Sequence, residues 1–129
     1  MPEALLLDSD ILVDVGRALP EALDYLERAE RSASLSISVV THMELMVGCR
    51  SKVELRRLDR FLARFRIVQL SEGMSLTATD LLRRFGLSHG LHIPDALIAA
   101  TAMTLGMPLA SKNQRDYRFV AGLDLLPYP

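Results

Sequence analysis

Several residue types are scarce in this chain of 129 residues, and each scarcity excludes a class of protein. The single cysteine, Cys49, excludes an internal disulfide and a cysteine-based zinc site. Tryptophan is absent, and the three histidines match no zinc-ligand spacing. Lys+Arg number 15 and Asp+Glu number 16, so there is no overall basic excess to hold nucleic acid by charge alone.

Long apolar runs are also missing. The longest uncharged stretch, residues 96–111, contains Gly106 and Pro108 and falls short of the ~20 residues that a membrane helix needs. The opening residues carry acids at Glu3, Asp8 and Asp10, and they lack the basic-then-apolar order of a signal peptide. We therefore expect a soluble protein without a membrane segment, located in the reducing cytoplasm.

Apolar residues make up 50% of the chain and follow two alternating patterns. Continuous apolar runs predict buried strands at residues 4–7, 35–40, 67–70, 107–110 and 123–126. Helical spacing predicts helices that begin at Pro20, span residues 53–65 and 77–85, and run from Pro94 to about residue 105. This alternation indicates an α/β fold, with one domain over residues 1–129 and a central parallel β-sheet flanked by helices on both faces.

Four acidic residues follow predicted strands or begin predicted helices, namely Asp8, Glu44, Asp95 and Asp116. In open parallel sheets the functional crevice lies beyond the carboxyl ends of the strands, so we expect these acids to share one rim, with Asp95 joining if its helix begins there. Clustered carboxylates repel each other, and a hard cation such as Mg²⁺ or Mn²⁺ relieves that repulsion. Such a site suits phosphodiester hydrolysis, in which the cation acidifies water and neutralises charge on the phosphate.

Each acid also has an ordinary structural interpretation. These are a capping box at Thr41-x-x-Glu44, a helix N-cap at Asp8, a first-turn carboxylate at Asp95 and a turn cap at Asn113-x-x-Asp116. Taken singly, such roles are commoner than catalysis, and only the shared location favours chemistry. The neighbouring acids Asp10 and Asp14 are interpreted as an N-cap and an exposed helix residue, respectively.

Four segments occur in an order that resembles the PIN-domain ribonucleases, especially the VapC-like toxins of toxin–antitoxin pairs. They are LLLDSDILVD, SLSISVVTHMELMVG, HIPDALIAATA and LASKNQRDY. The resemblance covers nearly the whole chain. It implies a PIN-like domain that cleaves RNA with Mg²⁺ or Mn²⁺, works as a homodimer and is silenced by a cognate antitoxin that covers the site.

The resemblance also assigns roles to individual residues. It gives catalytic, metal-binding roles to Asp8, Glu44, Asp95 and Asp116. It gives supporting polar roles to Ser9, Ser111 and Asn113, with serine in place of threonine at the first two.

Two positions depart more clearly from the family pattern. Asp10 stands where the family often has asparagine, and it adds negative charge beside the first ligand. Tyr117 takes the place of a usual phenylalanine and keeps the aromatic ring.

The basic residues are mostly arginine, which binds phosphate through a planar fork. Lys112 and Arg115 lie close to Asp116 in the chain, and we expect them to contact RNA. Arg56, Arg60 and Arg64 recur every four residues on a predicted helix face, which is either solvated or RNA-binding.

Two other functions remain open from the residues. A non-catalytic PIN-like module that binds RNA or protein would use the acids structurally. A phosphatase or phosphoryl-transfer switch is prompted by Asp8-x-Asp10 and Lys112. A phosphatase normally has a second acidic pair late in the chain, and a receiver-type switch has an aspartate ending its middle strand; neither is evident here.

Overall fold

A computed structural model describes residues 4–129, and within that range the strands form one parallel sheet. The strands are β1 (Ala4–Leu7), β2 (Ser34–Ser38), β3 (Arg66–Val68), β4 (Leu109–Ser111) and β5 (Leu125–Pro127). Their order is β3-β2-β1-β4-β5, and every neighbouring pair is parallel. The predicted α/β class with a central parallel sheet is confirmed.

The described residues also form six α-helices and one short 3-10 turn. The helices are α1 (Ser9–Gly16), α2 (Pro20–Ser32), α3 (Val39–Val47), α4 (Lys52–Leu62), α5 (Glu72–His89) and α6 (Ile93–Leu105), and the turn is Gln114–Asp116. Gly90 and Gly106 end α5 and α6 with positive φ angles of 67° and 64°, a conformation that glycine adopts without steric cost. None of these helices is long and apolar enough to cross a membrane.

A hydrophobic core lies on each face of the sheet, because successive side chains of a strand point to opposite faces. Leu6 of β1 packs in the core formed with α5 and α6. Leu5 and Leu7 pack in the other core, with α1, α2 and residues of α4. Helices therefore cover both faces, as predicted from the continuous apolar strands.

Element bounds differ from the sequence prediction where polar residues set the ends. The predicted helix 77–85 is α5, which begins after the N-cap Ser71 and ends before Gly90, so it is much longer than its apolar stripe. The predicted helix 53–65 ends at Leu62, although Phe65 beyond it is buried. Arg64 therefore lies outside the helix and does not continue the face of Arg56 and Arg60.

The strand order places a topological switch beside β1. The chain passes from β1 to β2 on one side of the sheet, whereas β4 lies against β1 on the other side. At such a switch the connections leave the carboxyl ends of neighbouring strands in opposite directions, which opens a crevice. Asp8 follows β1 and Ser111 ends β4, so both lie at this crevice.

Candidate active site

Asp8 is the most enclosed of the four predicted acids, with 5% of its surface exposed. It is the N-cap of α1, where its Oδ1 accepts a 2.8 Å hydrogen bond from the backbone N–H of Ser9. Its Oδ2 accepts a 2.7 Å hydrogen bond from Ser111 Oγ. The side chain of Asp8 therefore both caps α1 and lies at the crevice.

Asp95 accepts a hydrogen bond from the hydroxyl of Tyr117 and is near enough to Asp8 for that acid's charge to act on it. Asp95 lies in the first turn of α6, and its Oδ1 accepts a 3.2 Å hydrogen bond from Tyr117 Oη. The same hydroxyl also interacts with Asp8. Tyr117 is only 1% exposed, and burial raises its pKa strongly, so the phenol keeps its proton and acts as a donor. The sequence predicts that Asp95 joins the other acids if its helix begins at the same rim. The side chain of Asp95 does reach the same crevice.

Glu44 is linked to the first strand end by Ser9. Ser9 Oγ donates a 2.8 Å hydrogen bond to Glu44 Oε1 and lies 2.9 Å from Thr41 Oγ1. Because Ser9 has one hydroxyl proton and gives it to Glu44, Thr41 donates in the second bond. The capping-box interpretation of Thr41 and Glu44 is wrong, because Ser38 is the N-cap of α3 and both residues lie inside the helix.

Asp116 ends the 3-10 turn and is exposed. It lines a small cleft of about 50 Å³ together with Asp95 and the segment 89–92, which connects α5 to α6. Asn113 is the N-cap position of that turn, but its side chain makes no capping hydrogen bond. Its backbone N–H instead donates to Ser111 Oγ at 3.0 Å.

Asp10 is not an N-cap, contrary to the sequence interpretation, because Asp8 holds that position. Asp10 Oδ2 accepts backbone hydrogen bonds of 3.1 Å from both Lys112 and Asn113, and Ser111 Oγ lies 3.3 Å away. Burial, followed by the charge of Asp8, raises the pKa of Asp10 to about 6. Asp10 therefore connects the loop after β4 to the first turn of α1 through hydrogen bonds.

Asp14 is buried rather than exposed, with 5% of its surface accessible. Its Oδ2 accepts hydrogen bonds from Lys112 Nζ at 3.2 Å and Tyr128 Oη at 3.1 Å. The ammonium group of Lys112, predicted to contact RNA, is thus engaged by a carboxylate of α1. Arg115 is exposed in the 3-10 turn. RNA contact by either side chain stays a prediction.

The local sequence carries no signal for the contact between Tyr128 and Asp14 or for the position of the Tyr117 hydroxyl. Tyr128 reaches Asp14 only because β5 is the neighbour of β4, and sequence periodicity does not reveal strand order. The burial of Asp14 has the same origin. The sequence shows Tyr117 as a departure from the family pattern. It does not show that the hydroxyl of Tyr117 lies near the acids of the crevice.

The arginine run contributes little to the crevice. Arg64 pairs with Glu30 of α2 and lies over the ring of Phe61, with 5.6 Å from its guanidinium carbon to the ring centroid. Arg56 and Arg60 are exposed on α4. These observations favour the solvated interpretation.

Negative charge accumulates at the crevice. Burial raises the pKa of Asp8, and the charge of Glu44 raises it further, while hydrogen bonds from Ser111 and Ser9 act in the opposite direction. Burial also raises the pKa of Asp95, as do the charges of Asp8, Asp116 and Glu44. The charges of the other three predicted acids therefore act on Asp95, and a bound cation would lower the energy of the ionised forms of Asp8 and Asp95.

The donor set fits a hard divalent cation that keeps part of its water shell. Among residues 4–129, no group of three or more His, Cys, Asp or Glu side chains is close enough to form a ready-made metal cage. Mg²⁺ is usually held by one or two carboxylates with several waters, so a pair such as Asp8 and Asp95 meets its requirements. Asp10 Oδ1 is buried and has no hydrogen-bond partner in the described part of the chain, which leaves a further oxygen acceptor beside Asp8.

Comparisons with known proteins identify the family of this chain. The PIN-domain family profile matches residues 5–122. Ribonuclease VapC10 of Mycobacterium tuberculosis is 39% identical over 110 residues, which cover 84% of this chain and 82% of the relative. A toxin–antitoxin complex from Klebsiella pneumoniae contains a chain that is 29% identical, with a TM-score of 0.80 and 95% of each chain covered. VapBC2 from Rickettsia felis, bound to a promoter DNA fragment, has the same fold at 24% identity, with a TM-score of 0.82 and 98% and 99% of the two chains covered. The chain therefore belongs to the PIN-domain family and is similar to its VapC members.

Proposed function

We propose that this chain is an endoribonuclease that depends on Mg²⁺ or Mn²⁺ and hydrolyses RNA phosphodiester bonds. The observation that carries the proposal is that Asp95, hydrogen-bonded to the buried Tyr117 hydroxyl, lies close enough to the buried Asp8 for its charge to act on Asp95, at the switch point of a parallel sheet. The 39% identity to a protein named a ribonuclease supports the same reaction.

Asp8 and Asp95 would hold the cation, with Glu44 and Asp116 at the solvent side of the crevice. A bound Mg²⁺ or Mn²⁺ would supply Lewis-acid activation of the attacking water and offset charge on the phosphate. Four carboxylates would repel an RNA phosphate electrostatically, so RNA binding itself depends on that compensation. A carboxylate in the crevice would accept the proton that the attacking water loses.

The supporting residues fix these carboxylates in position. Ser111 orients Asp8, and Ser9 orients Glu44, in each case through a hydrogen bond shorter than 2.9 Å. Asn113 contributes its backbone N–H to the same loop. Fixed carboxylates need little reorganisation when charge develops during the reaction.

We further propose that the protein is the toxin of a toxin–antitoxin pair, acts in the cytoplasm as a homodimer and is silenced by a cognate antitoxin. The similarity to a chain of the Klebsiella pneumoniae toxin–antitoxin complex supports a protein partner. The structure also exposes large apolar side chains, among them Val47, Leu76, Leu87 and Ile93. Where such side chains lie next to one another, they are typical of a surface that a partner covers.

The test is cleavage of a single-stranded RNA by the purified chain with Mg²⁺, with Mn²⁺ and with a chelator. We expect cleavage only with a cation, and loss of cleavage in the nearly isosteric variants Asp8→Asn and Asp95→Asn. Asp24→Asn is the matched control, because Asp24 is an exposed partner of Arg28 on α2. Melting temperatures of all variants verify that the fold is intact.

Cleavage that persists in Asp95→Asn, or with the chelator present, would contradict the proposal. RNA binding by the wild-type chain without any cleavage would support a non-catalytic module instead. Co-expression with the product of the adjacent reading frame tests the toxin assignment, since a cognate antitoxin restores growth and co-purifies with the chain.

A further inference from the structure

A cluster of three aromatic rings lies beside the carboxylate cleft. His89, the last residue of α5, stacks on Phe119 with ring centroids 4.2 Å apart and an interplanar angle of 23°. Phe85 contacts both rings, at 5.6 Å from His89 and 5.0 Å from Phe119. One face of the imidazole is therefore covered by Phe119. His89 is exposed, and within residues 4–129 no second aromatic ring is stacked on its other face.

The His89 ring is held in place although it is exposed. Ser88 Oγ forms a 2.8 Å hydrogen bond with His89 Nδ1, in addition to the stacking and edge contacts of the two phenylalanines. Exposed side chains ordinarily sample several rotamers, and ordering them on binding costs free energy. A ring fixed before a ligand arrives avoids most of that cost.

The position of His89 connects this cluster to the proposed chemistry. His89 and His92 line the same cleft as Asp95 and Asp116. The cleft volume is about 50 Å³. That space accommodates an ion with a few waters, since one water needs about 10–15 Å³ of it. A phosphate bound there would place the neighbouring base at the edge of the cleft, where His89 lies.

We propose that the exposed face of His89 is a stacking platform for a nucleobase of single-stranded RNA, next to the phosphate that the proposed cation would hold near Asp95 and Asp116. This inference rests on the proposed ribonuclease function and names a contact that orients its substrate. Proteins bind unstacked RNA bases on flat side chains, including histidine. Every base has a π-face, so the contact tolerates different sequences.

A purely structural role for His89 makes a different prediction. A histidine in the last turn of a helix interacts favourably with the helix dipole, and its ring also packs against Phe119. In that case its replacement lowers the melting temperature and leaves RNA binding unchanged. The two roles are separated by measuring both quantities in the same variants.

The binding experiment uses single-stranded RNA that contains 2-aminopurine, whose fluorescence is quenched by stacking. It is performed with Mg²⁺ on the chain with Asp95 intact, before cleavage of the RNA is detectable, because Asp95 is a proposed ligand of the cation on which RNA binding depends. His89→Ala and His89→Gln should bind about 5- to 100-fold more weakly and lose the quenching. His89→Phe should retain RNA binding and quenching, because it keeps a flat ring. It lacks only the hydrogen bond to Ser88.

In the otherwise wild-type chain, His89→Ala should raise KM by a similar factor and change kcat by less than about 2-fold, because uniform binding is lost. Unchanged RNA binding in His89→Ala, or full binding by His89→Gln, would overturn the stacking platform. Cleavage by the wild-type chain distinguishes the two proposals. An active ribonuclease with unaffected His89 variants refutes only the platform, whereas an inactive wild-type chain refutes the ribonuclease proposal.

Discussion

Ser111 Oγ donates a 2.7 Å hydrogen bond to the carboxylate of Asp8, from the end of β4 to the end of β1. Both residues are buried, with Ser111 fully inaccessible. The bond joins residues from opposite ends of the chain at the crevice. A second bond does the same, because the backbone N–H of Asp8 donates to the carbonyl oxygen of Ala110 on β4. The first and fourth strands thus fix the most enclosed carboxylate of the site together.

Replacing Ser111 with alanine should therefore weaken both stability and activity. The change leaves one oxygen of a buried carboxylate without its donor, which costs about 1–3 kcal/mol. Urea unfolding and RNA cleavage measure the two effects. Ser111→Thr is the control, because it keeps the hydroxyl, and it should retain most of the activity. Wild-type stability and activity in Ser111→Ala would mean that this hydrogen bond does not orient Asp8.

Replacing Tyr117 with phenylalanine should increase the stabilisation that a divalent cation provides. The hydroxyl compensates charge on Asp8 and Asp95 when no ion is bound, so its removal destabilises the metal-free protein by about 1 kcal/mol. The ring stays, so packing is preserved. Melting temperatures with a chelator and with millimolar Mn²⁺ give the difference, which should be larger in Tyr117→Phe than in the wild type. An equal or smaller difference would contradict this role.

Metal-free stability should fall as the pH rises from about 4 to about 7. The pKa of Asp10 is raised to about 6 in the folded chain, above its usual 3.8, so the folded state binds more protons than the unfolded state in this range. Its contribution is fully present below the unfolded pKa and is lost as the pH rises through the folded pKa. Burial raises the pKa values of Asp8 and Asp95 as well, which gives the same sign.

Asp10→Asn tests this pH dependence. It removes the titrating charge and keeps an oxygen that accepts from the loop amides, so urea unfolding at several pH values in chelator should show a shallower decline. Between pH 4.5 and 7, the free energy of unfolding should fall by about 1–2 kcal/mol less in Asp10→Asn than in the wild type, after discounting for the partial exposure of Asp10. A decline as steep as in the wild type would assign the pH dependence to other groups.

Two variants separate the structural and RNA-binding roles of Lys112. Lys112→Ala removes the cation that pairs with buried Asp14, and it should cost about 1–2 kcal/mol of stability. Asp14→Asn removes the same ion pair but leaves the lysine free. If Lys112 contacts RNA, KM for RNA rises in Lys112→Ala and does not rise in Asp14→Asn. A similar rise in both variants would show that the effect on RNA passes through the ion pair.

Local patterns were sufficient for the fold class. The apolar runs at the first two strands and the stripes of α2, α4 and α6 reflect burial on the sheet faces, which depends on residue type and spacing. The apolar stripe does not predict the bounds of α5, because Ser71 and Gly90 set them and neither residue belongs to the stripe. The residues at the crevice were located because parallel strands end at one edge.

The wrong assignments concern residues whose surroundings come from distant parts of the chain. The sequence predicts an exposed Asp14, because α1 alone does not reveal that Tyr128 and Lys112 contact it. The spacing of Thr41 to Glu44 predicts a capping box, whereas the actual cap, Ser38, ends the preceding strand. Such contacts depend on which strands become neighbours.

By itself, the sequence determined that strands and helices alternate, and it determined which acids follow the strand ends, because hydrophobic burial and backbone geometry act over a few residues. Only the tertiary structure decided the order β3-β2-β1-β4-β5, and with it the contacts of Asp8 with Ser111 and Tyr117. Strand order minimises the free energy of the whole sheet and both of its cores. The crevice, its accumulated charge and its hydrogen bonds are therefore properties of the assembled fold.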